Sequence, residues 1–312
     1  MNLSLVLRAR IIAVLLFGVV WAGAWDIWWH GAVGRDSFWI APHLMLYASV
    51  FGAAALGIFT WWQERGGEEA FIWRRLALSL SVILLAAPLD EIWHQVFGKE
   101  VFSTPLIIWS PPHLMIVFGL LASFLTVLPF LLADEEEPKR LFVPMVFGGI
   151  YHIFAYFVIP FDPRGSYHIV GFAGAFFAAL VLSYSLSFAR DKLKGFGVAF
   201  LTMVFFLIPL AVRFSDKVAA GTGVLPYERA PAFLELLALF IPAILVDLLW
   251  GRYSKLTLGA VAGFFYAAIL HGFASGFLPL EYQYGAAEVA VAVAAGTAGG
   301  VMGAFLSKLR FM

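Results

Sequence analysis

The chain has 312 residues, of which 62% are hydrophobic and 13% charged, with a mean hydropathy of +0.90. Its 20 basic and 20 acidic residues cancel to zero net charge, which leaves no electrostatic footprint for nucleic acid or for an acidic partner. No cysteine is present, so disulfides, thiolate metal sites, iron–sulfur clusters and cysteine nucleophiles are excluded, and the apolar content is that of a polytopic membrane protein.

Apolar stretches of roughly 20 residues match a hydrocarbon core of about 30 Å, and in lipid they must be helical because each backbone polar group has to be satisfied within the segment. The expected fold is therefore all-α, a transmembrane helical bundle of about ten spans. They lie near residues 7–26, 39–62, 75–96, 107–133, 141–160, 168–189, 195–213, 231–249, 257–279 and 286–307. The N-terminus has the basic flank of a signal peptide. Its apolar run is long, however, and Asp26 and two tryptophans follow where small cleavage-site residues would stand, which predicts an uncleaved first span. The loops are short, so residues 1–312 read as a single integral membrane domain in contact with the lipid bilayer. Within it lie one helical hairpin at 1–62, a second at 73–133, a third histidine-bearing hairpin at 141–190 and a helical remainder at 195–312.

Lysine and arginine set the orientation. With the N-terminus inside, the outer segments hold Arg35, Lys99, Arg164, Arg213, Lys217 and Arg229, and the other 14 of the 20 basic residues lie at inner segments. Both termini are then cytoplasmic in a chain of the cell (plasma) membrane. On that map all seven histidines fall towards the outer, periplasmic face. His30 ends span 1 and His43 begins span 2; His94 ends span 3 and His113 begins span 4; His152 lies in span 5, His168 begins span 6, and His271 lies in span 9. Ionisable side chains at membrane depth are costly and point to function, although single histidines and tryptophans also decorate interfaces.

The first two hairpins carry the same pattern. Asp26 and His30 match Asp90 and His94, each pair one helical turn apart on one face. Gly34, Arg35 and Asp36 match Gly98, Lys99 and Glu100; Phe38 matches Phe102; and Pro42, His43, Leu44 and Met45 match Pro112, His113, Leu114 and Met115. The second loop is longer, and the pattern reads as an internal duplication. A carboxylate and an imidazole one turn apart, with a second imidazole from the returning helix, form a two-histidine, one-carboxylate set with open positions. Such a set without sulfur suits copper, zinc, iron or manganese. The structural alternative is a carboxylate–imidazole bridge that staples two helices. Trp28, Trp29, Trp93 and Trp109 could wall such a site from water or form an aromatic belt.

Asp26, His30, Arg35, Asp36, Pro42 and His43 together resemble the metal site of the C subunit of the copper membrane monooxygenases, the particulate methane and ammonia monooxygenases. Asp90, His94, Lys99, Glu100, Pro112 and His113 give a looser match with a longer loop. The resemblance is confined to the hairpin ends. It implies a copper site near the outer face, and oxidation by O₂ of a small apolar substrate. The family's C subunit carries the motif once, has fewer spans and works with two other subunits, whereas this chain carries it twice and has no soluble cupredoxin-like region.

Further along, His152 lacks a carboxylate four residues earlier, but Tyr151, Asp162 and His168 could form a third polar cluster. His271 could be a core histidine, a distal ligand or a proton carrier. Glu235 is a candidate proton or metal group, and Asp247 is expected to pair with Arg252 at the interface. The alanine- and glycine-rich last span permits close helix contact. No HExxH, nucleophile elbow or phosphate-binding glycine loop is present. The sequence thus predicts a membrane metalloprotein, a copper-dependent, monooxygenase-like oxidoreductase with zinc or iron as alternative metals. Its rivals are a non-catalytic metal-binding or transport protein, and a structural subunit that works with partner membrane subunits or as a homo-oligomer. Transport would need polar residues continuing inward, and spans 1 to 4 offer almost none below the sites.

Overall fold

The computed structural model describes residues 3–32, 39–97, 110–133, 142–157, 167–193, 232–273 and 285–308. Among the described residues 91% are helical and none lies in a strand. The helices are α1 (Leu3–Ala32), α2 (Ala41–Glu64), α3 (Ala70–Phe97), α4 (Pro111–Leu132), α5 (Phe142–Phe157), α6 (Tyr167–Leu193), α7 (Ala232–Leu249), α8 (Lys255–Ala267, continued by a π-turn at Ala268–Phe273) and α9 (Ala286–Leu306). By length and composition six of them could cross a membrane: residues Leu5–Asp26 of α1, then α2, α3, α4, Lys255–Gly272 and α9. These are the expected spans 1 to 4, 9 and 10. The described apolar parts of α5, α6 and α7 are shorter, at Phe142–Ile153, Ala175–Phe188 and Leu237–Leu249. The expected span at 195–213 lies outside the described residues.

The chain divides into two compact units, Met1–Ile153 and Phe154–Met312. In the first, α1 to α4 form an up-and-down ring in which α1 packs on α2, α2 on α3, α3 on α4, and α4 back on α1. Small residues set the register. Gly52 of α2 receives Leu15 of α1, Gly57 of α2 receives Leu80 of α3, and Gly119 of α4 receives Ile83 of α3. Ser79 and Ser123 hydrogen-bond across α3 and α4 at 2.8 Å. The indole of Trp73, fully buried, lies 4.9 Å from the Phe130 ring. From α5, Gly149 faces Phe124, and Phe142 lies 5.9 Å from the Arg10 guanidinium.

The two ends of this ring differ chemically. At one end, where α1 starts, α2 ends and α3 starts, arginines lie over aromatic rings: Arg8 over Phe59, Arg65 over Trp62 and Arg75 over Phe71, each within 5.6 Å of the ring centre. The opposite end carries Asp26, His43, Asp90 and His113. Between the ends the outward side chains are apolar, Phe51 (66% exposed) and Phe118 (64%) among them. Large apolar groups so exposed along long apolar helices are placed as a hydrocarbon solvent requires.

In the second unit α9 lies between α6 and α8. A Cβ on Gly299 or Gly303 would fall on the backbone oxygen of Phe176 or Leu180 in α6, and one on Gly300 would fall on that of Gly259 in α8. Only glycine allows backbones this close, and the contact gains dispersion and Cα–H···O interactions over a long seam. The turn from α7 to α8 needs Gly251, whose φ is +81°, and Ser254 then caps α8 by accepting from the Thr257 N–H at 3.1 Å. Asp247 does not pair with Arg252 as the sequence suggested. It is buried and lies 3.3 Å from Arg190 Nε of α6, because tertiary packing of α6 on α7 brings the guanidinium closer than the chain neighbour. Lys255 pairs with Asp191, and Arg190 and Lys255 both lie over the Trp250 ring.

Candidate metal centres

The first centre is built where α1 ends and α2 begins. Asp26 lies more than a turn before the end of α1, and His43 is the third residue of α2. Pro42 stands at the proline-favoured start of α2, where a missing N–H costs nothing, and so fixes where the helix starts and where His43 points. The two side chains meet across the helix pair, with His43 Nε2 3.1 Å from Asp26 Oδ1. The His43 ring also lies 6.0 Å from that of Tyr47, one turn further along α2.

The second centre repeats this with the same atoms. His113 Nε2 lies 3.5 Å from Asp90 Oδ1. Pro111 and Pro112 open α4, and Ser110 caps it, accepting from the His113 N–H at 3.4 Å. The start of α2 lacks such a side-chain cap, since Ile40 holds the corresponding place. All four pairing side chains are about one-fifth to one-quarter exposed, so both pairs lie at the edge of the protein rather than in its core.

The donor atoms fit a shared ion. Two ligands each about 2.0–2.1 Å from one ion lie about 2.9 Å apart at a right angle and about 3.4 Å apart at the tetrahedral angle. The observed 3.1 and 3.5 Å match neighbouring positions in such a shell. They also match a direct carboxylate–imidazole bridge, the structural alternative. His30 and His94, the third members of each expected trio, lie in α1 and α3, and their side chains are outside the described residues. Among the described residues no three histidine, aspartate or glutamate side chains gather as a metal-binding group.

The other candidates fall elsewhere. His152 is fully buried in α5, its ring 5.4 Å from that of Tyr151. His168 is the second residue of α6 and Glu235 lies in α7, but neither side chain is among those described. His271 lies in the π-turn after α8, an element common at functional sites. Asp162 and the loop residues Arg35, Asp36, Lys99 and Glu100 lie outside the described residues. Two features escaped the sequence reading. One is the Ser110 cap, visible as a serine three residues before His113. The other is an apolar groove between α3 and α4, for which no periodicity signal exists because its walls come from two helices.

No family model matches this chain, and neither a curated protein nor a solved structure is significantly similar to it.

Proposed function

We propose that the chain is an integral membrane metalloprotein with two mononuclear centres, Asp26/His30/His43 and Asp90/His94/His113, and that it acts as a copper-dependent, monooxygenase-like oxidoreductase on a small apolar substrate. One observation carries the reading: two carboxylate–imidazole pairs, joined through the same two atom types, at matching positions of two helical hairpins. A staple between helices needs neither matching chemistry nor matching place, whereas a pair of like centres needs both.

Within each centre the carboxylate and the imidazole supply two adjacent donors, and the histidine one turn after the aspartate supplies the third from the same helical face. The proline before the second histidine holds the returning helix in register, so the donors are organised before any ion arrives. Bound copper would supply redox chemistry and an open position for an oxidant. The tryptophans that flank each centre in the sequence would shield a bound ion from water and favour an apolar substrate.

We further propose about ten spans in the cell membrane, with both termini cytoplasmic. The arginine–aromatic end of the first unit then faces inward, as basic and aromatic residues do at the cytoplasmic interface, and the two centres face outward. Elemental analysis of protein never exposed to chelator tests the metal reading. About one copper per centre is expected, with Asp26→Ala and His94→Ala each removing a separate portion. Metal-free protein that also fails to take up copper, zinc or iron refutes it.

A further inference from the structure

The two aspartate–histidine ends use matching positions but differ in how they are filled. One residue before the aspartate stands Trp25 in the first hairpin and Leu89 in the second; three residues after it stand Trp29 and Trp93. Trp25 and Trp29 pack edge to face, with ring centres 6.3 Å apart. Leu89 offers no such ring, and Trp93 packs instead on Phe97, at 4.2 Å. Here a groove of about 190 Å³ opens between α3 and α4, walled by Leu89, Ile92, Trp93, Val96, Phe97 and Pro112. Leu89 precedes Asp90 and Pro112 precedes His113, so the groove adjoins the second centre.

We propose that this groove binds a stretch of a lipid acyl chain that lies along α3. Among the described residues no charged side chain lines it, so an ion or a headgroup would lose its hydration there without compensation. Leu78, Leu85, Leu89, Ile92 and Val96 follow one another at three-, four- or seven-residue spacing on one face of α3, and each is exposed by 43% or more. This apolar track runs along the helix into the groove and is continuous with the surface that the membrane reading turns towards hydrocarbon. A cavity of about 150 Å³ with similar walls holds benzene, so the groove is large enough for a short length of chain. The first hairpin carries an indole, Trp25, at the position of Leu89, so the inference is confined to the second hairpin. The inference rests on the membrane-spanning reading above and does not depend on metal.

The test uses the full chain, chelator-treated, in phosphatidylcholine vesicles whose lipid carries a photoreactive diazirine in the upper part of the acyl chain, at the depth of the groove. Adducts mapped by mass spectrometry are expected on residues 89–97 and 111–115, several-fold above those at Phe51 and Phe118, which are exposed but lie outside the groove. Leu89→Trp, which copies the first hairpin, is expected to reduce them to that background. Ile92→Trp, which copies Trp28, is a second block should the first variant fold poorly. Uniform labelling of all exposed faces, or labelling unchanged in both variants, overturns the inference, as does a photoproduct linking two copies of the chain through the groove. Release of the chain from vesicles by alkaline carbonate overturns the membrane reading along with the inference. An embedded chain with an unlabelled groove overturns the inference alone.

Discussion

Asp90→Asn separates the two uses of the second pair by the size of the effect. The substitution keeps the shape of the side chain and removes its charge. The Asp90 and His113 side chains are 25% and 20% exposed and lie 3.5 Å apart. A pair this accessible to solvent is worth about 1 kcal/mol or less, because screening and side-chain entropy offset most of the attraction. In chelator, wild type and variant should therefore unfold within about 1 kcal/mol of each other. Metal changes the scale, since an ion held at a hundredfold excess over its Kd adds about 2.7 kcal/mol for each occupied centre. Copper should then raise the wild type by about 5 kcal/mol and the variant by about half of that. The assay is unfolding in mixed detergent micelles followed by circular dichroism, with bound copper counted in the same samples. Equal stabilisation of the two proteins, or none in the wild type, refutes the assignment of Asp90 as a ligand.

Gly300→Ala should destabilise the second unit by about 1–3 kcal/mol, because the added Cβ meets the backbone of α8, 3.0 Å from the Gly263 Cα, and no rotamer change relieves it. Gly23→Ala in α1 is the control: nothing lies within 4 Å, so the substitution should stabilise by up to about 1 kcal/mol in the same micellar titration. Asp247→Ala leaves the 11% exposed Arg190 side chain without the Asp247 carboxylate and should cost about 3 kcal/mol, and the exchange Arg190→Asp with Asp247→Arg should recover part of the loss. If the exchange is no better than the single substitution, the two charges are not coupled.

Much of the helical framework was legible in the sequence because hydrocarbon imposes a length and a composition on any helix that crosses it. Spans 1 to 4, 9 and 10 match helices long and apolar enough to do so. The glycine seam was also legible: span 10 was read as a close-packing helix, and Gly299, Gly300 and Gly303 all press on neighbouring backbones. The reading of Asp247 erred because an ion pair is decided by distance in space. Arg252 is five residues away along the chain, but Arg190 is carried to 3.3 Å by a helix from elsewhere. The likeness of the two hairpins was visible as repeated residue types. A carboxylate–imidazole contact between two helices was also among the readings, but its atoms and distance were not legible, because they depend on how closely the helices approach.

By itself the sequence determined that the chain is helical and apolar and that its histidines gather at the ends of hairpins, because each of these follows from residue type and local spacing. Only the tertiary structure decided that Asp26 meets His43 and Asp90 meets His113, that one end of the first unit's bundle is basic and aromatic while the other is acidic and imidazole-bearing, and that a groove opens beside Asp90. Those features depend on how two helices approach each other, and side-chain shape at the point of approach sets that distance with no trace in the periodicity of either strand of sequence.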